Sequence, residues 1–232
     1  MDRLKHREFK DKLYGQFARV GKAFSNPRRL EIMDLLAQGE RSVEEVAEQT
    51  AMPVASVSQH LQVLKAARVV EVRREGLYAY YRLADDAVFE VWRAVRDLGR
   101  SRLVEIDRIV RDYLEDRVSL REVSAAELLE LMRNEEVVVL DVRPEEEYHA
   151  GHIAGAHSVP VAELEERLER CLHELPPDRQ VVAYCRGPYC VFSDEAVKLL
   201  EACGYRSSRL VEGFPEWRAA GLPVEAGTRV GQ

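Results

Sequence analysis

Hydrophobic residues recur every three or four positions through the first 118 residues, and this spacing predicts a run of amphipathic helices. The first helix is predicted over residues 8–24, the second begins near Pro27, and a short third one follows Ser42. A fourth covers SVSQHLQVLKAARV, and two alternating runs around Glu75-Gly76 predict a β-hairpin. The last predicted helix spans residues 85–117, and its apolar stripe is longer than a domain this small could bury alone.

The pattern changes after residue 118, where short apolar runs alternate with amphipathic stretches. VVVLDVR, QVVAY and SSRLVEG predict strands, VSAAELLELMRNEE, VAELEERLERCLHEL and VFSDEAVKLLEACG predict helices, and PEEEYHAGHIAGAHSVP predicts a loop. Strands that alternate with helices indicate a parallel sheet. We therefore predict a multidomain protein, with a mainly-α domain over residues 1–118 and an α/β domain with a parallel sheet over residues 119–232.

The fourth helix and the hairpin together have the order of a winged helix-turn-helix. The predicted inward residues of the helix are Val57, Leu61, Val63 and Leu64. The predicted outward residues are Ser56, Ser58, Gln59, His60, Gln62 and Lys65, which could contact base edges in a major groove. Arg73, Arg74 and Tyr78 on the hairpin could reach phosphates or the minor groove. A polar helix face alone fits ordinary solvation better than DNA binding, so the ordered combination with the hairpin is what predicts DNA binding.

The segment from NPRRLEIMDLL to LYAYYRL closely resembles the ArsR family of bacterial dimeric repressors. The resemblance implies operator double-stranded DNA as a partner, and a homodimer formed through the first helix and the 85–117 helix. Metal-sensing members carry a Cys-x-Cys site where this chain reads RSVEEV, and no cysteine precedes Cys171 here. We therefore expect no metal site in this domain, and no cofactor.

Charge and hydropathy refine this picture. The net charge of −7 is the sum of −9 in residues 119–232 and +2 in residues 1–118, so the first half is compatible with DNA. No apolar run approaches the roughly 20 residues that a membrane span needs, and the charged N-terminus lacks the apolar core of a signal peptide. We expect a cytoplasmic protein with no membrane partner. A close cysteine pair there is expected to be catalytic, metal-binding or redox-sensing.

Two of the four cysteines flank a loop between a predicted strand and a predicted helix. Cys185 directly follows QVVAY, and Cys190 lies where the next helix starts. Such a loop gathers backbone N–H groups at a helix N-terminus, which lowers the pKa of a thiol. Arg186 adds positive charge and Gly187 lets the backbone curl. The pattern predicts a nucleophilic thiolate at Cys185.

Three motifs resemble the rhodanese family of sulfurtransferases: LDVRPEEEYHAGHIAGAHSVP, YCRGPYC and GFPEWRAAGLPV. The resemblance implies that Cys185 takes a sulfane sulfur from a small donor to form a persulfide. It also implies a supporting scaffold that comprises Asp141, Arg143, Gly151, His152 and Trp217. Phosphatases on this fold need an arginine after five loop residues, where this chain has Val191. A phosphatase or an arsenate-type reductase is therefore disfavoured.

Cys190 suggests a role beyond turnover. It could attack a Cys185 persulfide and release sulfide, or close a polysulfide bridge, as a sensor requires. It could instead be a half-buried helix residue. Cys171 and Cys203 lie within helix patterns and are expected to be inert. We expect a transcriptional regulator, a repressor, that senses reactive sulfur through Cys185 and Cys190. A sulfurtransferase with an attached DNA-binding domain stays open, and so does a thiol sensor of arsenic or another soft metal.

Overall fold

The computed structural model describes residues 3–114, 117, 119–164 and 179–226. The chain divides into two compact units, Met1–Arg96 and Asp97–Gln232. The domain boundary placed after residue 118 on sequence grounds stays a prediction. Each unit is described here by itself.

The first unit is a winged helix-turn-helix, which confirms the predicted class. Its helices are α1 (Arg3–Phe24), α2 (Pro27–Leu36), α3 (Val43–Gln49) and α4 (Val54–Ala66), and its strands are β1 (Arg41–Ser42), β2 (Val70–Glu75) and β3 (Tyr78–Leu83). The strands form an antiparallel sheet in the order β1-β3-β2. One apolar core, with Ile32, Val46 and Leu61 at full burial, holds helices and sheet together.

Local sequence signals act as predicted in this unit. Asn26 begins α2, where its side chain accepts a hydrogen bond from the backbone N–H of Arg29. Ser42 and Glu45 form a reciprocal capping box at the start of α3. The hairpin turns at Gly76, whose φ of +59° is a conformation that favours glycine.

The predicted single helix over residues 85–117 is wrong, because the chain forms two helices there. They are α5 (Asp86–Arg102) and α6 (Val104–Tyr113), separated by Leu103, whose φ of −113° and ψ of 96° are not helical. Two small residues precede the break: Gly99 has low helix propensity, and the Ser101 hydroxyl donates to the carbonyl of Leu98. Such Gly and Ser pairs are a known cause of sharp helix breaks.

The second unit is built on a parallel sheet, as predicted, and this sheet has five strands. Its strands are β4 (Glu122–Val123), β5 (Val137–Asp141), β6 (His152–Ile153), β7 (His157–Ser158), β8 (Gln180–Tyr184), β9 (Ser207–Leu210) and β10 (Val224–Glu225), and its further helices are α7 (Ala125–Arg133), α8 (Glu145–Ala150), α9 (Phe192–Ala202) and α10 (Phe214–Ala219). The sheet order is β4-β9-β8-β5-β7, and β10 pairs separately with β6. Strand β8 is central and buried along its length.

The stretch PEEEYHAGHIAGAHSVP is not the loop that was predicted, since it contains α8, β6 and β7. Strand β6 pairs with β10, so that His152 lies opposite Glu225. The pairing of β6 with β10 cannot be predicted from the local hydrophobic pattern, because the two strands are far apart in sequence. The predicted helix VAELEERLERCLHEL is helical over residues 161–164, and its remainder, with Cys171, lies outside the described residues.

A buried polar network fixes the end of β8, just before the cysteine loop. The Tyr184 hydroxyl donates to Asp141 Oδ2 at 2.6 Å, and Arg143 Nη2 donates to the same oxygen at 2.6 Å. Arg143 also donates to the carbonyl of Gly151, and the Ile153 N–H donates to the Tyr184 hydroxyl. A fully hydrogen-bonded buried pair of this kind is costly to break from one side, so it holds β5 and β8 in register.

Candidate functional site: a cysteine loop and a winged helix

The cysteine loop, residues 185–191, leaves the carboxyl end of β8 at the centre of the parallel sheet. Ligand sites in α/β sheets lie at this edge. Cys185 is only 2% exposed, and its Sγ lies 3.4 Å from the hydroxyl of Ser193 in the first turn of α9. The Cys190 N–H donates to the carbonyl of Gly187 at 3.1 Å, which closes a turn and brings the second cysteine back toward the first.

Hydrogen bonds to Cys185 make its thiolate accessible near neutral pH. Burial by itself raises the pKa of this thiol. The Cys190 thiol, the Ser193 hydroxyl and the backbone N–H groups of Ser193 and Gly187 donate to the sulfur, and together they lower the pKa to about 7. The same contact with Cys185, reinforced by burial, raises the pKa of Cys190. The pair is therefore asymmetric, with Cys185 as the thiolate and Cys190 as the thiol that donates to it.

Arg186 is held within the protein by a carboxylate. Its Nε and Nη2 donate to Glu147 Oε1 at 3.0 and 2.6 Å, and the Glu147 side chain is fully buried. The predicted positive charge is present beside the two cysteines, but it is paired. Glu147 was not predicted as a site residue, because α8 lies within the stretch predicted as a loop.

Gly213 supports the loop from the other side. A Cβ at Gly213 would lie 2.4 Å from the backbone carbon of Arg186 and from the backbone nitrogen of Gly187, so only glycine allows this approach. The next residue, Phe214, donates its N–H to the Cys185 carbonyl at 3.1 Å. The GFPEW motif was predicted as part of a signature, without this contact. Ser193 was also missed, although its place one turn into α9 could have suggested a donor.

Helix α4 presents the predicted polar side chains outside the core. Ser56, Ser58 and His60 are half-buried, and Gln59, Gln62 and Lys65 are exposed. The placement of Val63 facing the core is wrong, because this residue is 38% exposed. The buried stripe runs through Val57, Leu61 and Leu64, at the four- and three-residue spacing of one helix face.

The hairpin carries Arg73, Arg74 and Tyr78 as predicted, and all three are exposed. Arg73 is engaged within the protein: its Nη2 donates to Glu40 Oε2 at 2.8 Å, and its Nη1 donates to Glu75 Oε2. Its guanidinium also stacks over the ring of Tyr80 at 4.7 Å. Any phosphate that Arg73 binds must compete with Glu40.

Comparison with known proteins matches both halves of the chain. The model of the arsR family of bacterial regulatory proteins matches residues 26–72, and the model of the rhodanese-like domain matches residues 124–220. The HTH-type transcriptional regulator Rv0324 of Mycobacterium tuberculosis is 46% identical over 222 residues, which cover 94% of each chain. The chain belongs to the ArsR family of bacterial regulatory proteins. Within that family it carries a rhodanese-like domain in its second half.

Two further relatives of this ArsR-family protein each match one half of it. A crystal structure of a possible transcriptional regulatory protein from Mycobacterium bovis, fragment 1–100, is 49% identical and covers 38% of this chain and 95% of that one, with a TM-score of 0.37. Arsenate reductase 2.1 of Oryza sativa subsp. japonica is 35% identical over 115 residues, 46% of this chain and 72% of the relative.

Two features are absent from the described part of the chain. None of its helices is both long and apolar enough to cross a membrane. Within the same residues, no three His, Cys, Asp or Glu side chains lie together in a way that could hold a metal ion.

Proposed function

We propose that this protein is a DNA-binding repressor whose rhodanese-like domain senses sulfane sulfur through Cys185 and Cys190. The observation that carries the proposal is that the loop turns back at Gly187 and packs Cys190 against the buried cluster that contains Cys185, where hydrogen bonds lower the pKa of Cys185 to about 7. A sulfur carrier needs only the first thiolate. A second thiol in contact with it gives the persulfide an intramolecular reaction partner.

The first step is sulfur transfer to Cys185. The Cys185 thiolate attacks the outer sulfur of a persulfide or polysulfide donor, which forms the Cys185 persulfide and breaks the sulfur–sulfur bond of the donor. The donor leaves as a thiolate one sulfur shorter, so no external oxidant or reductant is required. The N–H groups of Gly187 and Ser193 that contact the Cys185 sulfur also stabilise negative charge near it.

The second step is resolution by Cys190. The Cys190 thiol passes its proton to the terminal sulfur of the Cys185 persulfide, and the resulting thiolate attacks Sγ of Cys185 and displaces hydrosulfide. The products are a Cys185–Cys190 disulfide and sulfide: the two protein thiols are oxidised by two electrons, and the transferred sulfur is reduced by two. The disulfide persists until a cellular thiol reduces it, which makes the loaded state long-lived.

The first unit supplies the output of this sensor. The polar face of α4 and the hairpin with Arg73 and Arg74 fit a major groove and the flanking phosphates of operator DNA. Helix α1 buries only Ala23 and Phe24, and α6 buries no residue, although both carry apolar stripes. A second copy of the chain would cover such stripes and place two recognition helices on one operator.

A sulfurtransferase is the alternative, and the Cys185 loop favours it as well. Its test is steady-state transfer of sulfur from thiosulfate to cyanide by the wild type and by Cys190→Ser. The sensor account predicts slow transfer in the wild type, because Cys190 diverts the persulfide, and a gain in Cys190→Ser. Fast transfer that is equal in both proteins contradicts the sensor account. The same samples, loaded with polysulfide and analysed by mass spectrometry, must contain a Cys185–Cys190 bridge in the wild type alone.

The soft-metal alternative is tested in parallel with arsenite. The arsenate reductase relative and the paired thiols are its support. Two thiolates leave the coordination of arsenic incomplete, so we expect polysulfide and not arsenite to change operator affinity at equal concentration.

A further inference from the structure

Arg117 lies between α6 and β4, and its guanidinium binds the cysteine loop. Arg117 Nη2 donates to the carbonyl oxygen of Cys190 at 2.7 Å, and Nη1 donates to the carbonyl oxygen of Pro188. The side chain is 9% exposed. One arginine thus holds two carbonyls within the segment that joins the two cysteines.

Asp194, in the first turn of α9, fixes the orientation of this guanidinium. Arg117 Nε donates to Asp194 Oδ2 at 2.7 Å. The other oxygen of Asp194 lies 2.9 Å from Nε of Arg209, whose Nη1 pairs with Glu122. Asp194 is itself only 9% exposed and sits between two guanidinium groups. Charge-assisted contacts on several sides leave Arg117 one favourable position while the loop keeps its shape.

The backbone of Arg117 is tied to the end of α6. Its N–H donates to the carbonyl of Leu114 at 3.0 Å, and the Leu114 N–H donates to Val110 at 2.9 Å. The loop residue Tyr189 also borders an apolar cavity together with Ile109 and neighbouring residues of α6. Arg117 therefore links the end of α6 to the cysteine loop.

We propose that Arg117 is the positioning residue that transmits the bridging of Cys185 and Cys190 to helix α6. The inference rests on the proposed function. A bridge draws Cys190 toward Cys185, and the hydrogen bond from Arg117 to the Cys190 carbonyl stays in the normal range only up to about 3.2 Å, roughly half an ångström beyond its present length. Bridging weakens this contact, and α6 loses its polar attachment to the loop. By thermodynamic linkage, the factor by which bridging weakens the Arg117 contact is also the factor by which loss of that contact favours bridging.

The test is amide hydrogen exchange of α6 in the full chain. Wild type, Arg117→Met and Arg117→Lys are compared, with Arg121→Met as the matched control because Arg121 is an exposed arginine in the same segment. Each protein is measured reduced and after treatment with inorganic polysulfide. We expect bridging to speed exchange in α6 of the wild type about fivefold or more, and Arg117→Met to show the fast rate already when reduced. Arg117→Lys should show an intermediate exchange rate in α6, because lysine keeps the positive charge but lacks the planar set of N–H donors that binds two carbonyls at once.

Three results separate this inference from the proposed function. If the wild type bridges and α6 exchange does not change, the inference fails and the sensor chemistry stands. If no bridge forms, the proposed function fails, and the reduced proteins still decide about Arg117: faster exchange in α6 of Arg117→Met supports the link, and an unchanged rate overturns it. If Arg121→Met reproduces the effect of Arg117→Met, the change is a general loss of stability, and the inference is wrong.

Discussion

Removing the Cys190 thiol should raise the pKa of Cys185, because that thiol donates a hydrogen bond to the Cys185 sulfur. The informative pair of variants is Cys190→Ala and Cys190→Ser. Alanine removes the donor, whereas serine keeps an O–H donor of similar reach. Both variants remove the second sulfur, so a difference between them reports the hydrogen bond alone.

The expected size follows from the contacts around Cys185. Its pKa is lowered from 9.0 to about 7, which corresponds to roughly 3 kcal/mol in favour of the thiolate. A hydrogen bond to a charged group contributes about 1.5 kcal/mol, so losing one raises the pKa by about one unit. At pH 7 the thiolate fraction of Cys185 then falls from about one half to about one tenth, and its reaction with iodoacetamide slows about fivefold.

The assay is alkylation of Cys185 as a function of pH, followed by mass spectrometry of the loop peptide. The wild-type rate should rise with pH through about 7, and the Cys190→Ala profile should be displaced by about one pH unit to higher values. Cys203 is exposed and serves as an internal reference. If Cys190→Ala and Cys190→Ser both titrate at the wild-type value, Cys190 does not donate to Cys185 and the reasoning is refuted.

Three further substitutions test other contacts. Gly213→Ala places a Cβ 2.4 Å from the backbone of the cysteine loop and should lower the free energy of unfolding in urea by about 1–3 kcal/mol. An unchanged free energy of unfolding would show that the loop moves away from the added methyl group without cost. Arg186→Met leaves buried Glu147 without its main partner and should lower the free energy of unfolding by about 3 kcal/mol in the same assay. The double variant with Glu147→Gln should regain most of this stability, and a double variant as unstable as Arg186→Met would contradict the pairing of the two charges. Glu40→Gln removes a carboxylate that competes with DNA phosphates for Arg73, so the affinity for duplex DNA should rise about twofold. Fluorescence anisotropy at fixed salt measures this affinity, and an unchanged value would contradict the competition.

The features predicted correctly from the sequence are those set by neighbours along the chain. The capping box at Ser42, the turn at Gly76 and the buried strand that ends at Tyr184 depend on residue types at fixed short spacings. The place of Cys185 follows from the same logic, because a thiol after a central parallel strand must lie at the edge where ligands bind. The resemblances to the ArsR and rhodanese families then predicted the fold of each half of the chain.

Contacts between distant segments were not predictable in this way. Glu147 reaches Arg186 and Gly213 meets the cysteine loop only after the sheet has formed, and nothing in the local pattern around either residue signals its partner. The helix break at Leu103 was not predicted, because the apolar stripe continues across it. Arg117 is the last residue of the predicted helix over residues 85–117, and nothing in that pattern signals that its side chain is almost buried against the loop.

The central claim is that the bridged state of Cys185 and Cys190 sets the affinity for operator DNA. The most direct measurement combines operator anisotropy with mass spectrometry on the same samples, for wild type, Cys185→Ser and Cys190→Ser across a polysulfide titration. The account predicts that wild-type affinity changes about tenfold or more in proportion to the bridged fraction, returns after reduction, and stays constant in both variants. A wild type that becomes fully bridged with unchanged operator affinity would contradict it.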